Sequence, residues 1–183
     1  MKGNNECALY QIAASLFALF VQPRAFALLH HPLRFTSVGF PLMKPTILLG
    51  EDDPGDALLL ELALGKALED VALRSVRDGQ EVLDYLQGRG HFADRERFPV
   101  PGIIILDLKL PVLDGFEVIA WVRAQAEFMQ LPIIVLTGSD DPADMKRALD
   151  LGANCCCLKP SSPDDLRELV KELGQSCGDL IQR

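Results

Sequence analysis

Beyond Lys44 the chain alternates short apolar runs with longer stretches whose apolar positions recur at helical spacing. TILLG (Thr46–Gly50) reads as a first strand. Asp53 then Pro54 reads as an N-cap and first helical position, opening a helix that carries Leu58, Leu59, Leu62 and Leu68. VALRSV (Val71–Val76) is a second strand, and GQEVLDYLQG (Gly79–Gly88) a second helix with Val82, Leu83 and Leu86 on one face. A polar loop, Arg89–Pro101, leads into GIIILD (Gly102–Asp107), the third strand. FEVIAWVRAQ (Phe116–Gln125) is the third helix and PIIVLT (Pro132–Thr137) the fourth strand. Asp141 and Pro142 repeat the cap-and-proline start, and Gly152 stops that fourth helix. NCCCLK (Asn154–Lys159) is the fifth strand. Ser162 and Pro163 open a last helix striped by Leu166, Leu169, Val170 and Leu173.

Five strands alternating with five helices predict an α/β fold. The strands are apolar on both faces, as parallel strands covered by helices must be. The expectation is an open, doubly wound, five-stranded parallel sheet. In such sheets ligands bind outside the carboxyl ends of the strands, at the switch point in strand order. The residues there are informative. Glu51, Asp52 and Asp53 follow the first strand, and Asp107 ends the third. Thr137 ends the fourth and Lys159 the fifth, whereas the second offers only Arg77 and Asp78. Crowded carboxylates repel, and a bound cation relieves the repulsion. Oxygen ligands without histidine suit Mg²⁺ better than zinc. A carboxylate beside such an ion, a hydroxyl and a lysine are the parts needed to receive a phosphoryl group.

EDD, DLKLPVLDG, VLTGSD and CLKP, in this order and at these strand ends, resemble the signatures of response-regulator receiver domains of two-component signalling. The resemblance covers about Pro45 to Leu173. EDDPGDALLLELAL, VRDGQEVLDYL and the loop before the third strand narrow it to the small single-domain receivers that partner phytochromes. It implies the flavodoxin-like strand order 2-1-3-4-5, and it implies a role for each matching residue. Asp107 corresponds to the phospho-acceptor. Glu51 and Asp52 correspond to the acidic pair that holds Mg²⁺, with Lys109 giving its backbone carbonyl to the metal. Thr137 corresponds to the switch hydroxyl, and Lys159 to the lysine that pairs with the acceptor, followed by a cis bond to Pro160. One position departs. Three residues before the lysine receivers place Tyr or Phe, and here stands Cys156, so an aromatic rotamer switch cannot operate.

The resemblance therefore implies a signalling switch that takes a phosphoryl group from a sensor histidine kinase, and sheds it again, without being an enzyme in the usual sense. A phytochrome-type photoreceptor kinase is the narrower expectation. The output passes through protein contacts. Receivers commonly use the face made by the fourth helix, fifth strand and fifth helix, here including Ala148 and Cys156, and a homodimer through it is expected. Two alternatives are a receiver-like module that binds without phosphorylation and a phosphohydrolase of the haloacid-dehalogenase type. The latter places a second aspartate two residues after the nucleophile, where this chain has Lys109.

Single residues have plainer readings too. Asp53 reads as a cap and not a ligand, and Asp114 and Gly115 as turn formers. The adjacent Cys155, Cys156 and Cys157 point alternately to opposite faces of a strand, so they cannot grip one tetrahedral ion and read as small buried hydrophobes. His91 reads as a solvated loop residue.

Charge and composition narrow the partners. Net charge is −8 over 183 residues. Residues 1–43 hold Lys2, Arg24 and Arg34 against Glu6, so the acidity belongs to the rest of the chain. An acidic domain without a basic stripe is a poor nucleic-acid binder, because phosphate neutralisation dominates that affinity. The cysteine pattern suits a reducing compartment, and a cytoplasmic location is expected. ALYQIAASLFALFV (Ala8–Val21) is short for a membrane span of roughly 20 residues and is stopped by Pro23 and Arg24. The domain expectation is an extension outside the fold at 1–42, a receiver at 43–176 and a tail at 177–183. A membrane anchor or a cleaved leader at residues 1–42 are the alternatives, and no membrane is expected for the folded domain.

Overall fold

The computed structural model describes residues 45–68, 71–162, 164–169 and 171. Readings that fall on residues 1–44, on Pro163 and Val170 and on residues 172–183 lie outside the described residues.

Five strands alternate with helices: β1 (Thr46–Gly50), α1 (Pro54–Ala67), β2 (Ala72–Val76), α2 (Gly79–Gln87), β3 (Ile103–Leu106), α3 (Gly115–Ala124), β4 (Ile133–Thr137), α4 (Pro142–Asp150) and β5 (Cys155–Leu158). Residues 164–169, α5, are helical as well. The sheet is all parallel, in the order β2-β1-β3-β4-β5. Chain order reverses between β1 and β3, and the strand ends there hold the acidic residues.

The periodicity that forms these elements also sorts the core into two layers. Strand side chains alternate between faces. Leu48, Ile104, Leu106, Ile133 and Val135 share one layer with Val82, Leu86, Phe116, Ile119 and Val122 of α2 and α3, and Cys156 packs against it. Ile47, Leu49, Ile103, Ile105, Ile134 and Leu136 alternate with these and face the other way, all buried. Cys155 and Cys157 face together, their sulfurs 3.3 Å apart, opposite to Cys156. Burial pushes the Cys156 thiol up to about 11, as befits an inert core cysteine.

Helix α1 differs from its simple reading. Its inward residues are Leu60 and Leu64, while Leu58, Leu59 and Leu62 are more than half exposed. The loop before β3 is not plain coil. It contains a 3-10 turn, Gly90–Ala93, whose Phe92 is buried against Tyr85 with ring centroids 5.0 Å apart. His91 is exposed, as expected, and its ring lies against Phe92. The Arg95 guanidinium donates to the carbonyls of Tyr85 and Leu86 and so finishes α2, where Gly88 takes the left-handed conformation. The Arg123 guanidinium does similar work at the N-terminal edge of the sheet. It donates to Gly152 and Leu131 carbonyls and to Asn154 Oδ1, tying α3 to the starts of β4 and β5.

Candidate functional site

The carboxyl ends of β1, β3, β4 and β5 converge on one cluster. Glu51 leaves β1 with its N–H bonded to the Val76 carbonyl, and its side chain is buried. Asp52 is exposed beside it. Asp53 turns away as expected: its Oδ1 accepts from the N–H groups of Gly55 (2.8 Å) and Asp56 (2.9 Å), capping α1. Those two donors lower the Asp53 pKa.

Asp107 prolongs the sheet ladder by donating its N–H to the Gly50 carbonyl at 2.9 Å. Its carboxylate is buried, with Oδ1 accepting from the Lys109 N–H at 3.2 Å. The loop beyond it folds back tightly. A Cβ on Gly115 would lie 2.5 Å from the Asp107 carbonyl oxygen, so only glycine fits. Asp114 and Glu117 then form a capping box that starts α3. Gly115 is thus more than a turn former: its missing side chain lets the helix begin against the backbone of Asp107. In the same loop Val112 has φ +67°, a left-handed conformation that a β-branched residue rarely takes.

Thr137 is fully buried at the end of β4. Its Oγ1 accepts from the Ser139 N–H at 3.1 Å, and its carbonyl accepts the Lys159 N–H at 2.8 Å. Lys159 enters from β5 and joins the cluster. Its Nζ lies 2.7 Å from Asp107 Oδ2, 2.8 Å from Glu51 and 3.1 Å from Asp56 Oδ2. The Lys159–Pro160 bond is trans, contrary to the cis bond implied by resemblance; the described residues contain no cis peptide. The trans linkage still delivers the ammonium to the cluster. For an X-Pro bond trans is favoured by roughly 0.5–1 kcal/mol, so neither isomer is excluded by the sequence.

The electrostatics follow from this packing. Burial raises the Glu51 pKa, and its bond to Lys159 only partly offsets that. Burial alone would lower the Lys159 pKa, but the bonds to Asp107, Glu51 and Asp56 outweigh it and raise the pKa. Glu51, Asp52 and Asp107 each present a carboxylate oxygen within 4.8 Å of the others. Three oxygen donors, two of them buried and none nitrogen, fit a small hard cation.

Two sequence readings change here. Ala148 is not on an outward face: it is fully buried on the inner side of α4, and the exposed apolar residues nearby in sequence are Leu149 (47%) and Leu158 (49%). Asp56 was not singled out from the sequence, yet it is one of three carboxylates holding Lys159. Its signal was its place three residues after the cap, where one helical turn returns a side chain to the strand-end edge.

Comparison with known proteins agrees with this geometry. Residues 47–171 match the family described as response regulator receiver domain. The chain is 34% identical over 125 residues to the response regulator Rcp1 of Synechocystis sp., covering 68% of this chain and 83% of that protein. It is 34% identical over 131 residues to the transcriptional regulatory protein PhoP of Bacillus subtilis, covering 72% of this chain and 49% of that protein. Among solved structures, the phosphorylated cyanobacterial phytochrome response regulator RcpA superposes with TM-score 0.66 at 32% identity, covering 72% of this chain and 91% of that one. The Mn²⁺-bound form of Rcp1 gives TM-score 0.64 at 33% identity, covering 70% and 91%. With its parallel sheet ordered 2-1-3-4-5 and its acidic cluster at the switch point, the chain belongs to the receiver domains of two-component response regulators.

Proposed function

We propose that this receiver takes a phosphoryl group on Asp107 from a phosphohistidine of a sensor kinase, with Mg²⁺ held by Glu51, Asp52, Asp107 and the Lys109 carbonyl. The observation that carries this reading is Lys159 bonded to both Asp107 and Glu51 across elements far apart in the chain. An Asp107 carboxylate oxygen attacks phosphorus, the P–N bond to the kinase imidazole breaks, and its electron pair stays on the imidazole nitrogen. Mg²⁺, when bound, neutralises oxygens of the phosphoryl group in transit. Lys159 offers an ammonium to the same oxygens, and Thr137 offers a hydroxyl once its link to Ser139 is given up. The tight loop at Gly115 keeps the acceptor in place for in-line attack. Water later hydrolyses the acyl phosphate and resets the switch.

The kinship with phytochrome response regulators supports a phytochrome-type kinase as the partner and a cytoplasmic site of action. No helix among the described residues is long and apolar enough to cross a membrane. Residues 43–176 are the signalling unit in this reading and residues 1–42 are dispensable. A homodimer through α4, β5 and α5 would use Leu149 and Leu158, the exposed apolar residues of α4 and β5. Cys156, partly buried, has no ring to swing, so output rests on shifts of the β4–α4 loop and of α4.

The test is incubation of the protein with acetyl phosphate and Mg²⁺, followed by detection of an alkali-labile acyl phosphate. Label on the intact protein that is absent from Asp107→Asn supports the reading, and equal label on both rejects it. A protein beginning at Met43 should take the same label, which checks the boundary.

A further inference from the structure

We propose that Asp56 is a positioning residue for Lys159, keeping the ammonium in the site when a divalent cation occupies Glu51, Asp52 and Asp107; this rests on the function proposed above. A lysine ammonium has three donors. Here three carboxylates lie within bonding distance, Asp107, Glu51 and Asp56, so all its donors have partners. The three are not equivalent. Glu51 and Asp107 also belong to the group that can hold a metal ion, and Asp56 does not.

A cation drawn to Glu51, Asp52 and Asp107 shares those oxygens with the ammonium and repels it. Asp56 is then the anion left to Lys159 alone. Its placement is set by the cap of α1: Asp53 Oδ1 accepts the Asp56 N–H, which fixes the backbone that aims the carboxylate at Lys159. The Asp56 side chain is 46% exposed, and an ion pair between two such surface groups would be worth little. The Lys159 side chain is only 18% exposed, however, so the pair sits at the wall of the site and not in open water. Without Asp56 the ammonium has only the metal's own ligands to pair with, and lysine and cation compete for them.

Asp56 also lies in the first turn of α1, where any acidic residue favours the helix. The test separates the two roles by a double-mutant cycle read by calorimetric Mg²⁺ titration of the full chain. We expect Asp56→Asn to weaken Mg²⁺ binding about tenfold and Asp56→Glu to restore most of it, since only the charge at Lys159 is being replaced. In a Lys159→Met background the loss on adding Asp56→Asn should shrink at least threefold, leaving only a through-space charge effect. Circular dichroism of each variant checks that α1 is intact. An unchanged affinity in Asp56→Asn, or equal losses in both backgrounds, overturns the proposal. If the parent protein binds Mg²⁺ but takes no phosphoryl group, the function proposed above fails, while the titration still decides the role of Asp56.

Discussion

Strands β3 and β5 both end on a member of the charged cluster, and they are built differently. β3 is flanked by β1 and β4 and buried along its whole length. It delivers a short side chain, Asp107, whose backbone is pinned by the Gly50 carbonyl on one side and by Gly115 on the other. β5 is the last strand in the sheet order, only partly buried, and delivers Lys159 on a long flexible stem. The difference suits the two tasks that the proposed function gives these residues. A nucleophile must stay in line with its target, because small misplacements are costly in rate. In the proposed function the lysine leaves the Asp107 oxygen for a phosphoryl oxygen, and four rotatable bonds at a sheet edge permit that.

The largest expected effect is on chemistry. Asp107→Asn should abolish acyl phosphate formation, whereas Lys159→Met should slow it by about 10²–10³-fold, the usual loss on removing one preorganised donor. Rapid-quench labelling with acetyl phosphate distinguishes them; similar losses from both would break the contrast.

Next comes packing. Ile104→Ala in β3 should cost about 2–5 kcal/mol in urea unfolding. Cys156→Ala in β5 removes one atom from a looser site and should cost about 1 kcal/mol. Equal costs would mean that the edge strand is as rigid as the central one.

Metal binding sharpens the picture further. Mg²⁺ at a hundred times its Kd should raise unfolding free energy by about 2.7 kcal/mol, and Asp52→Ala should lose most of that gain. Asp53→Ala should keep the gain but lower stability with or without the ion, by about 1 kcal/mol, because it removes a cap.

The smallest effect is the pH dependence. Lys159 has a raised pKa in the folded protein, so its stabilising contribution is present in full below the unfolded value of about 10.4 and fades as pH climbs through the folded value. Glu51 is also raised, but for a carboxyl this means that the unfolded chain releases its proton first. Stability without metal should therefore fall as pH rises from about 4.3 toward the folded Glu51 value. Urea unfolding in EDTA, compared with Lys159→Met above pH 9 and with Glu51→Gln below pH 7, reads the two terms; the opposite sign in either window would overturn its assignment.

How much of this was legible in the sequence depended on the kind of pattern. The sheet was legible because its strands are short, apolar and followed by chemistry-bearing residues, and strand ends shifted by a residue or so. The faces of α1 were not, because DALLLELAL has leucines all round and no polar stripe to mark the outside. Ala148 was misread as outward-facing for a related reason: a small apolar residue fits either face. Asp107, Glu51, Asp52 and Lys159 could be named from motif and strand-end position. Asp56 lies in no such motif and inside a helix, so its only signal was its spacing from the cap, and its bond to Lys159, 103 residues away, shows only in the assembled fold.

That separation has a consequence for folding. Lys159 closes loops of 103 and 108 residues when it meets Asp56 and Glu51. Chain closure over such distances costs entropy, and parallel strand pairing is slow. Among the described residues β5 is also the last strand in chain order, so Lys159 is the last member of the cluster to be made as the chain is synthesised. A chain arrested partway through assembly would expose Asp107 without its ammonium neighbour. The charged cross-link thus ties the first strand of the sheet in chain order to the last.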